Sequence, residues 1–238
     1  GPEADWAEVR RVVVDLELRH GALGDLRLVI LGARRHLERE AEVRTGEVAP
    51  LRHHAGGLFT LTLDAGDFSF TPGDCIAVYG PDGRSTRPYS LSGGTADPTL
   101  ELLIRRISGG QISDWLAQRL PGETLEITPP FGWFRPAAPP QVPKIYVATG
   151  SGIAPFLSAI RSGAAPPLAC YWGIRSEADL DGISFPGVIP CISRGPRANG
   201  RITGRLARMP LDPQHHYYLC GLDAMIESVA SLLEGQGI

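Results

Sequence analysis

Two short segments carry residues that suit the binding of a diphosphate. Arg87-Pro88-Tyr89-Ser90 follows a turn and opens a predicted strand, and Gly109-Gly110-Gln111-Ile112-Ser113 comes about twenty residues later. An arginine can fork onto phosphate oxygens, and glycines at the start of a helix let backbone amides approach an anion closely. Either segment alone could be a turn with a surface residue, so their order and separation carry the argument.

A third segment has the composition of a strand-to-helix turn at a nucleotide. Thr149-Gly150-Ser151-Gly152-Ile153-Ala154-Pro155 directly follows the apolar run Ile145-Tyr146-Val147. Its glycines can expose amides to a phosphate, and Pro155 suits the first turn of a helix. The segment lacks the three spaced glycines of the dinucleotide fingerprint, so by itself it is weak evidence.

Serine and arginine side chains recur further along the chain. Gly173 and Arg175 lie at the end of one apolar run, and Ser193-Arg194 and Arg201 come later in the chain. A hydroxyl beside a guanidinium suits a phosphomonoester such as a ribose 2'-phosphate, whereas a site for NAD would be expected to place an acid at the ribose hydroxyls. No acid adjoins Ser193 in the sequence, which favours NADPH over NADH. The alternative is that these arginines are solvated surface charges.

The last segment of interest is Cys220-Gly221-Leu222-Asp223-Ala224-Met225, between an apolar run and a helical pattern. Cys220 can shape and polarise a binding pocket at the end of a strand. The alternative is a buried cysteine that acts as a small hydrophobic residue, which is the usual role of a free cysteine.

Taken in order, these five motifs resemble those of the ferredoxin-NADP reductase family of flavin oxidoreductases, over about residues 42–238. The resemblance implies FAD, with FMN less favoured, and NADPH as co-substrate. The flavin-binding residues it implies are Arg87, Pro88, Tyr89, Ser90, Ile104, Arg105, Gly109, Gly110, Gln111, Ile112 and Ser113. The nucleotide-binding residues it implies are Thr149, Gly150, Gly152, Ile153, Ala154, Pro155, Gly173, Arg175, Ser193, Arg194, Arg201, Cys220, Gly221, Asp223 and Met225.

The resemblance also implies catalytic roles for three of these residues. Tyr89 offers an aromatic face to the isoalloxazine ring, and Ser90 is expected on the same strand face as Arg87, with its hydroxyl toward the reactive flavin nitrogen. Cys220 is expected beside the nicotinamide, without forming a covalent bond.

The periodicity of the apolar residues predicts the elements that must position these motifs. Residues 42–138 show short alternating runs separated by glycine and proline turns, which indicates an antiparallel, six-stranded Greek-key barrel interrupted by a helix at 114–120. Residues 139–238 alternate strands with helices, which indicates a parallel-sheet α/β domain. Residues 1–41 form an extension with helical spacing.

Composition narrows the classes of protein to which the chain can belong. A length of 238 residues suits two domains, and a net charge of -3 gives no basic footprint for nucleic acid. No apolar stretch approaches the roughly 20 residues of a membrane span. The four cysteines lack the spacing of a metal or cluster site, so no metal is expected. A cytoplasmic location is the default expectation.

The resemblance implies that electrons pass from NADPH through FAD to a one-electron acceptor protein such as ferredoxin or flavodoxin. One alternative is an NADH-dependent reductase component of an oxygenase. A second is a flavin-binding subunit of a larger complex that relays electrons or assists assembly without hydride transfer. It arises because the sequence ends at Ile238, without the final strand and aromatic residue usual in the family.

Overall fold

The computed structural model describes residues 43–132, 134–136, 141–180 and 182–238. The extension predicted over residues 1–41 lies outside this range, and the predicted domain boundary after residue 138 falls in the gap at 137–140. The described residues form an antiparallel sheet followed by a parallel one. Each of their helices is too short or too polar to serve as a bilayer span.

The antiparallel sheet occupies the first half of the described chain and contains seven strands. They are β1 (Arg44–Val48), β2 (Arg52–His53), β3 (Leu58–Asp64), β4 (Cys75–Tyr79), β5 (Thr86–Ser90), β6 (Leu100–Arg105) and β7 (Thr124–Ile127). Their order is β2-β3-β1-β7-β4-β5, and β6 also pairs with β3. A bridge between Leu91 and Leu102 joins the end of β5 to β6, so the sheet curls into a half-barrel. The predicted count of six omitted the two-residue strand β2.

The helix that interrupts this sheet is shorter than the sequence predicts. Helix α1 covers Ser113–Leu116, whereas the apolar pattern predicts a helix over 114–120. Beyond Leu116 the amides of Gln118 and Arg119 bond to carbonyls three residues back, which is the tighter pattern of a helix end. Pro121 then prevents continuation.

The parallel sheet has four strands and is covered by helices. The strands are β8 (Lys144–Thr149), β9 (Ala169–Ile174), β10 (Val188–Ile192) and β11 (His216–Cys220), and the helices are α2 (Ala154–Arg161), α3 (Ile202–Leu206) and α4 (Asp223–Glu234). The strand order is β10-β9-β8-β11. The predicted alternation of strands and helices included no strand at β10, which contains Pro190; the sheet tolerates this proline because β10 lies at its edge.

A shared hydrophobic core joins the two sheets. One cluster of buried residues combines Leu58, Cys75, Leu103 and Phe134 of the first half with residues of the second, including Tyr146, Phe156, Trp172, Tyr218 and Cys220. The Phe134 ring meets Phe156 and Tyr218 edge-on, with centroids 5.6 and 6.1 Å apart. Tyr146 stacks on Phe156 and donates its hydroxyl to the carbonyl of Pro136 at 2.6 Å. The second half is therefore packed against the first through aromatic side chains.

Truncation of Phe134 should destabilise the protein because it empties the centre of this shared core. Phe134→Ala is expected to lower the free energy of unfolding by about 3–5 kcal/mol, measured by urea denaturation. Leu120→Ala is the matched control, because Leu120 is 65% exposed and Phe134 is 2% exposed. The control should change stability by less than about 0.5 kcal/mol. Equal effects of the two substitutions would contradict the shared core.

Candidate functional site

The loops after three parallel strands meet at the carboxyl edge of the second sheet. They are the turn Gly150–Ile153 after β8, the segment Arg175–Ser176 after β9 and the segment Gly221–Leu222 after β11. Ligands of open α/β sheets bind at this edge. Three motifs whose first residues lie 25 to 71 positions apart along the chain are thus neighbours in the fold.

Two glycines permit the backbones of these loops to touch. A Cβ on Gly152 would lie 2.4 Å from the carbonyl oxygen of Cys220, and a Cβ on Gly221 would lie 2.0 Å from Oγ1 of Thr149. Thr149 Oγ1 also accepts a hydrogen bond from the amide of Leu222 at 2.8 Å. Larger residues at either glycine would separate the β8 and β11 loops.

A third glycine brings β9 into the same arrangement. A Cβ on Gly173 would lie 2.9 Å from Cγ2 of Thr149 and 2.8 Å from Cδ1 of Ile202, the first residue of α3. The indole nitrogen of Trp172 donates to the carbonyl of Gly150 at 2.9 Å, which fixes the backbone of the loop. Gly150 has a φ of 53°, a conformation that favours glycine.

The serine and arginine residues predicted at a ribose phosphate lie beside this edge. The amide of Arg194 donates to the carbonyl of Arg175 at 2.8 Å, so the ends of β9 and β10 run side by side. The hydroxyl of Ser193 donates to the carbonyl of Ile174 at 3.1 Å, and Arg194 and Arg201 are exposed. The fold places these residues near one another, although the Ser193 hydroxyl already donates a hydrogen bond to a backbone carbonyl.

An acidic side chain also belongs to this region. Glu177 forms an ion pair with Arg197, three residues beyond Arg194. This acid could not be recognised from the sequence, because Glu177 lies 16 residues before Ser193 and only the adjacency of β9 and β10 brings the two segments together. An acid among these arginines weakens the argument for NADPH that rests on sequence neighbours alone.

Strand β5 displays the first motif as half-buried side chains. All five of its residues have intermediate exposure, while four of the five on its neighbour β4 are buried. The pairing places Ser90 opposite Cys75 and Tyr89 opposite Ile76. Cys75 belongs to the core shared with the second sheet, whereas Tyr89 packs against the barrel core. The expectation that Ser90 shares a face with Arg87 is therefore wrong, because side chains three residues apart on a strand point to opposite faces.

Cys75 contacts Ser90 and belongs to the same buried cluster as Cys220, in the seam between the two sheets. Its Sγ lies 3.5 Å from Oγ of Ser90, and a thiolate at Cys75 would contribute, after burial, to the raised pKa of Cys220. Burial raises the pKa of Cys75 to about 11, and burial is also the main cause of the raised pKa of Cys220. Both groups are neutral thiols at neutral pH. Sequence reasoning missed Cys75, since a strand cysteine is ordinarily a small hydrophobic residue and only the strand register shows its partner.

The glycine loop before α1 offers amides at different positions from those expected. The Gly110 amide donates to the carbonyl of Ile107 at 2.8 Å, and the Gly109 amide lies 3.4 Å from a carboxylate oxygen of Asp114. Within the described residues the amides of Gln111 and Ile112 have no hydrogen-bond partner. The loop is closed by Ser113 Oγ, which accepts the amide of Ile107 at 3.1 Å. Arg106 pairs with Asp114 and holds the pKa of that carboxyl below its ordinary value.

Several predicted binding residues have their side chains in the hydrophobic cores. They are Ile104, Ile112, Ile153, Ala154 and Met225. Pro155 is likewise buried, in the first turn of α2. Asp223 starts α4 and is half-buried, and Pro88 lies opposite Ala77 in the strand pairing. Because their side chains are buried, these core residues could contact a cofactor only through their backbone groups. The described part of the chain contains no group of three or more His, Cys, Asp and Glu residues arranged to hold a metal ion.

Substitution of Gly152 tests the contact between the nucleotide loop and the Cys220 turn. Gly152→Ala should weaken binding of NADP⁺ and NAD⁺ because its Cβ would meet the carbonyl of Cys220 at 2.4 Å. FAD content should be unchanged. The control is Gly204→Ala, where a Cβ meets nothing within 4 Å. Titration followed by flavin absorbance measures both affinities. Wild-type affinity in Gly152→Ala would contradict the assignment of this loop.

Comparisons with known proteins show which proteins this chain is similar to. The family model for the oxidoreductase FAD-binding domain matches residues 51–135. Ferredoxin--NADP reductase B of Sorangium cellulosum is 30% identical over 225 residues, which cover 82% of this chain and 91% of that protein. The ferredoxin--NAD(P)(+) reductase component of the naphthalene dioxygenase and salicylate hydroxylase systems of Ralstonia is 32% identical over 71% of this chain. The match spans 57% of that reductase component, so this chain corresponds to only part of it.

Solved structures show the same arrangement of sheets. An Amycolatopsis cytochrome P450 reductase superposes with a TM-score of 0.70 at 25% identity, over 82% of this chain and 67% of that one. The ferredoxin NADP⁺ reductase of Neisseria gonorrhoeae, solved with bound FAD and NADP, gives a TM-score of 0.68 at 21% identity, over 83% and 93%. The second likeness is one of fold. The motifs, the fold and the Sorangium relative together show that the chain belongs to the ferredoxin-NADP reductase family of FAD-binding oxidoreductases.

Proposed function

We propose that the protein takes hydride from NADPH and passes electrons through FAD to a separate one-electron acceptor protein. The observation that carries the proposal is that Cys75, whose Sγ lies 3.5 Å from Oγ of Ser90, belongs to the same buried cluster as Cys220 in the seam between the two sheets. A strand with the flavin motif and a strand end with the nicotinamide motif thereby face the same buried region. Hydride transfer requires this proximity of donor and acceptor sites.

The residues present fit a flavin dinucleotide. Arg87, Tyr89 and Ser90 lie on a strand whose side chains are all half-exposed. The partnerless amides of Gln111 and Ile112 can donate hydrogen bonds to an anionic diphosphate, and Arg87 can fork onto its oxygens. Tyr89 would lie along the ring system, and Ser90 would present its hydroxyl from the face toward Cys220. FAD is favoured over FMN because the family model is that of an FAD-binding domain.

Bound FAD would supply the ability to accept two electrons as hydride and to release them one at a time. The chain's own contribution is orientation and electrostatics. The neutral thiol of Cys75 bonds to Ser90 and so restricts the rotation of its hydroxyl. The buried thiol of Cys220 adds no charge to the pocket, which leaves it suited to an uncharged dihydronicotinamide.

NADPH is proposed over NADH because three exposed cations, Arg175, Arg194 and Arg201, lie on segments at the ends of β9 and β10. Arginine together with serine suits a phosphomonoester, and Ser193 is the chain neighbour of Arg194 at the end of β10. Glu177 is the opposing observation, because a carboxylate near a ribose favours free hydroxyls. Direct comparison of the two nucleotides decides between them.

The proposed acceptor is a ferredoxin, a flavodoxin or an oxygenase component. Relatives include a ferredoxin--NADP reductase and reductase components of dioxygenase and monooxygenase systems. The chain spans less than two thirds of the length of those oxygenase reductases, so the acceptor can be a separate protein or a further domain. An NADH-dependent oxygenase reductase is the second candidate, favoured by Glu177 and by these relatives.

Removal of the Arg87 guanidinium should weaken FAD binding because a phosphate partner is lost. Arg87→Ala is expected to raise the dissociation constant for FAD at least about tenfold, since a hydrogen bond to a charged group contributes about 1.5–3 kcal/mol. Arg84→Ala is the control, as Arg84 is exposed in the turn before β5. Fluorescence titration of the apoprotein measures both constants. An unchanged constant for Arg87→Ala would remove the basis of the flavin site.

Anaerobic rapid mixing with NADPH and with NADH tests the proposed reaction. Fast loss of flavin absorbance with NADPH is expected; faster loss with NADH would favour the oxygenase reductase, and no loss with either would overturn both. Ser90→Ala should slow reduction about a hundredfold, as removal of one positioned hydrogen-bond donor does in other active sites. Ser85→Ala, in the exposed turn before β5, should leave the rate unchanged.

A further inference from the structure

A fully buried carboxylate lies between the two halves of the molecule. Asp179 has no exposed surface, and its Oδ2 accepts the amides of Arg175 and Ser176 at 2.9 and 3.0 Å. Its Oδ1 makes no hydrogen bond within the described residues and lies 3.5 Å from Nη2 of Arg105. Burial of a carboxylate costs several kcal/mol of folding free energy unless an opposite charge and hydrogen bonds compensate it. The position of Asp179 therefore needs a physical explanation.

The cation that faces Asp179 comes from the other half. Arg105 is the last residue of β6, and its Nη1 donates to the carbonyl of Gly56 at 2.5 Å. Its guanidinium also lies against the nucleotide loop, since a Cβ on Gly150 would be 3.4 Å from Nε and 3.5 Å from Nη2. Arg105 therefore links the flavin half to the first glycine of the loop after β8.

The barrel side is shaped to admit the carboxylate. A Cβ on Gly56 would lie 1.8 Å from Oδ1 of Asp179, so the carboxylate occupies the space that any larger residue would fill. Gly56 lies in a short 3-10 turn, Ala55–Gly57, and Asp179 lies in another, Glu177–Leu180. The two turns interlock at this carboxylate.

We infer that Asp179 is a positioning residue for the nicotinamide nucleotide. It holds the Arg105 guanidinium against the Gly150 loop and at the same time caps the turn that carries Arg175. Arg105 and Arg175, which come from different halves of the chain, thereby keep a fixed separation. Both lie at the edge where the nucleotide phosphates are proposed to bind. The inference rests on the proposed function, and Asp179 itself touches neither substrate nor cofactor.

A second ion pair between the halves provides the control for a purely structural role. Glu101, at the start of the same strand β6, pairs with Arg161 at the end of α2, and Arg161 also donates to the carbonyl of Ser92 at 3.0 Å. Both pairs join the same two halves, but the start and end of the strand are roughly 13 Å apart. The Glu101 pair does not contact the Gly150 loop.

Two matched pairs of variants test the inference. Asp179→Asn retains an oxygen for the two amides and removes the charge opposite Arg105; Glu101→Gln removes the charge from the control pair. Gly56→Ala displaces the Asp179 carboxylate without removing it. Gly57→Ala has a similar positive φ, 81° against 75°, but its nearest contact is 3.9 Å away, at the carbonyl oxygen of Arg106. The glycine pair keeps the test valid if Asp179→Asn fails to fold.

Binding of NADP⁺ and NAD⁺ to the oxidised FAD-loaded protein is the readout, because it needs no hydride transfer. Asp179→Asn and Gly56→Ala should raise the dissociation constant about tenfold, as networks that couple sites commonly do. Glu101→Gln and Gly57→Ala should stay within about twofold. Equal effects within either pair, or a wild-type protein that binds neither nucleotide, would overturn the inference. Wild-type binding without flavin reduction by NADPH or NADH would instead overturn the proposed function alone.

Discussion

The close approach of three backbone segments at the carboxyl edge of the parallel sheet is the constraint on which the candidate site depends. Gly152 touches the carbonyl of Cys220, Gly221 touches Thr149, and Gly173 touches both Thr149 and Ile202. None of these contacts has room for a side-chain carbon. This carboxyl edge is therefore formed by backbone groups in close contact. The contact is possible because glycines, which have no side chain, occupy these positions.

The shared core holds this edge of the parallel sheet against the antiparallel sheet. Phe134, Phe156, Tyr146 and Tyr218 interlock where the two sheets meet, while the ion pairs of β6 flank the same region. The aromatic side chains bury a large apolar area in this contact, and the two ion pairs add contacts between the halves. Cys75 lies in this seam, so its contact with Ser90 and its place in the same buried cluster as Cys220 depend on the same packing.

Side chains of both charges lie around this carboxyl edge, which is therefore not uniformly positive. Arg175, Arg194 and Arg201 supply cations, but Glu177 pairs with Arg197 and Asp179 faces Arg105. The exposed pair contributes little to stability, because solvent screens it. The buried carboxylate is different, because it can be accommodated only beside a cation and hydrogen-bond donors. If this edge binds the nucleotide as proposed, the balance of these few neighbouring charges would decide between NADPH and NADH.

The sequence by itself determined the two-part architecture, most strand positions and the order of the motifs, because apolar periodicity and glycine or proline turns are local properties. It could not show the strand β10, whose proline is tolerated only at a sheet edge, or the face on which Ser90 lies relative to Cys75. Nor could it show that Glu177 lies among the arginines or that Asp179 meets Arg105. These are contacts between residues distant in the chain, and strand register and domain packing alone decide them, because each depends on how whole elements align in three dimensions.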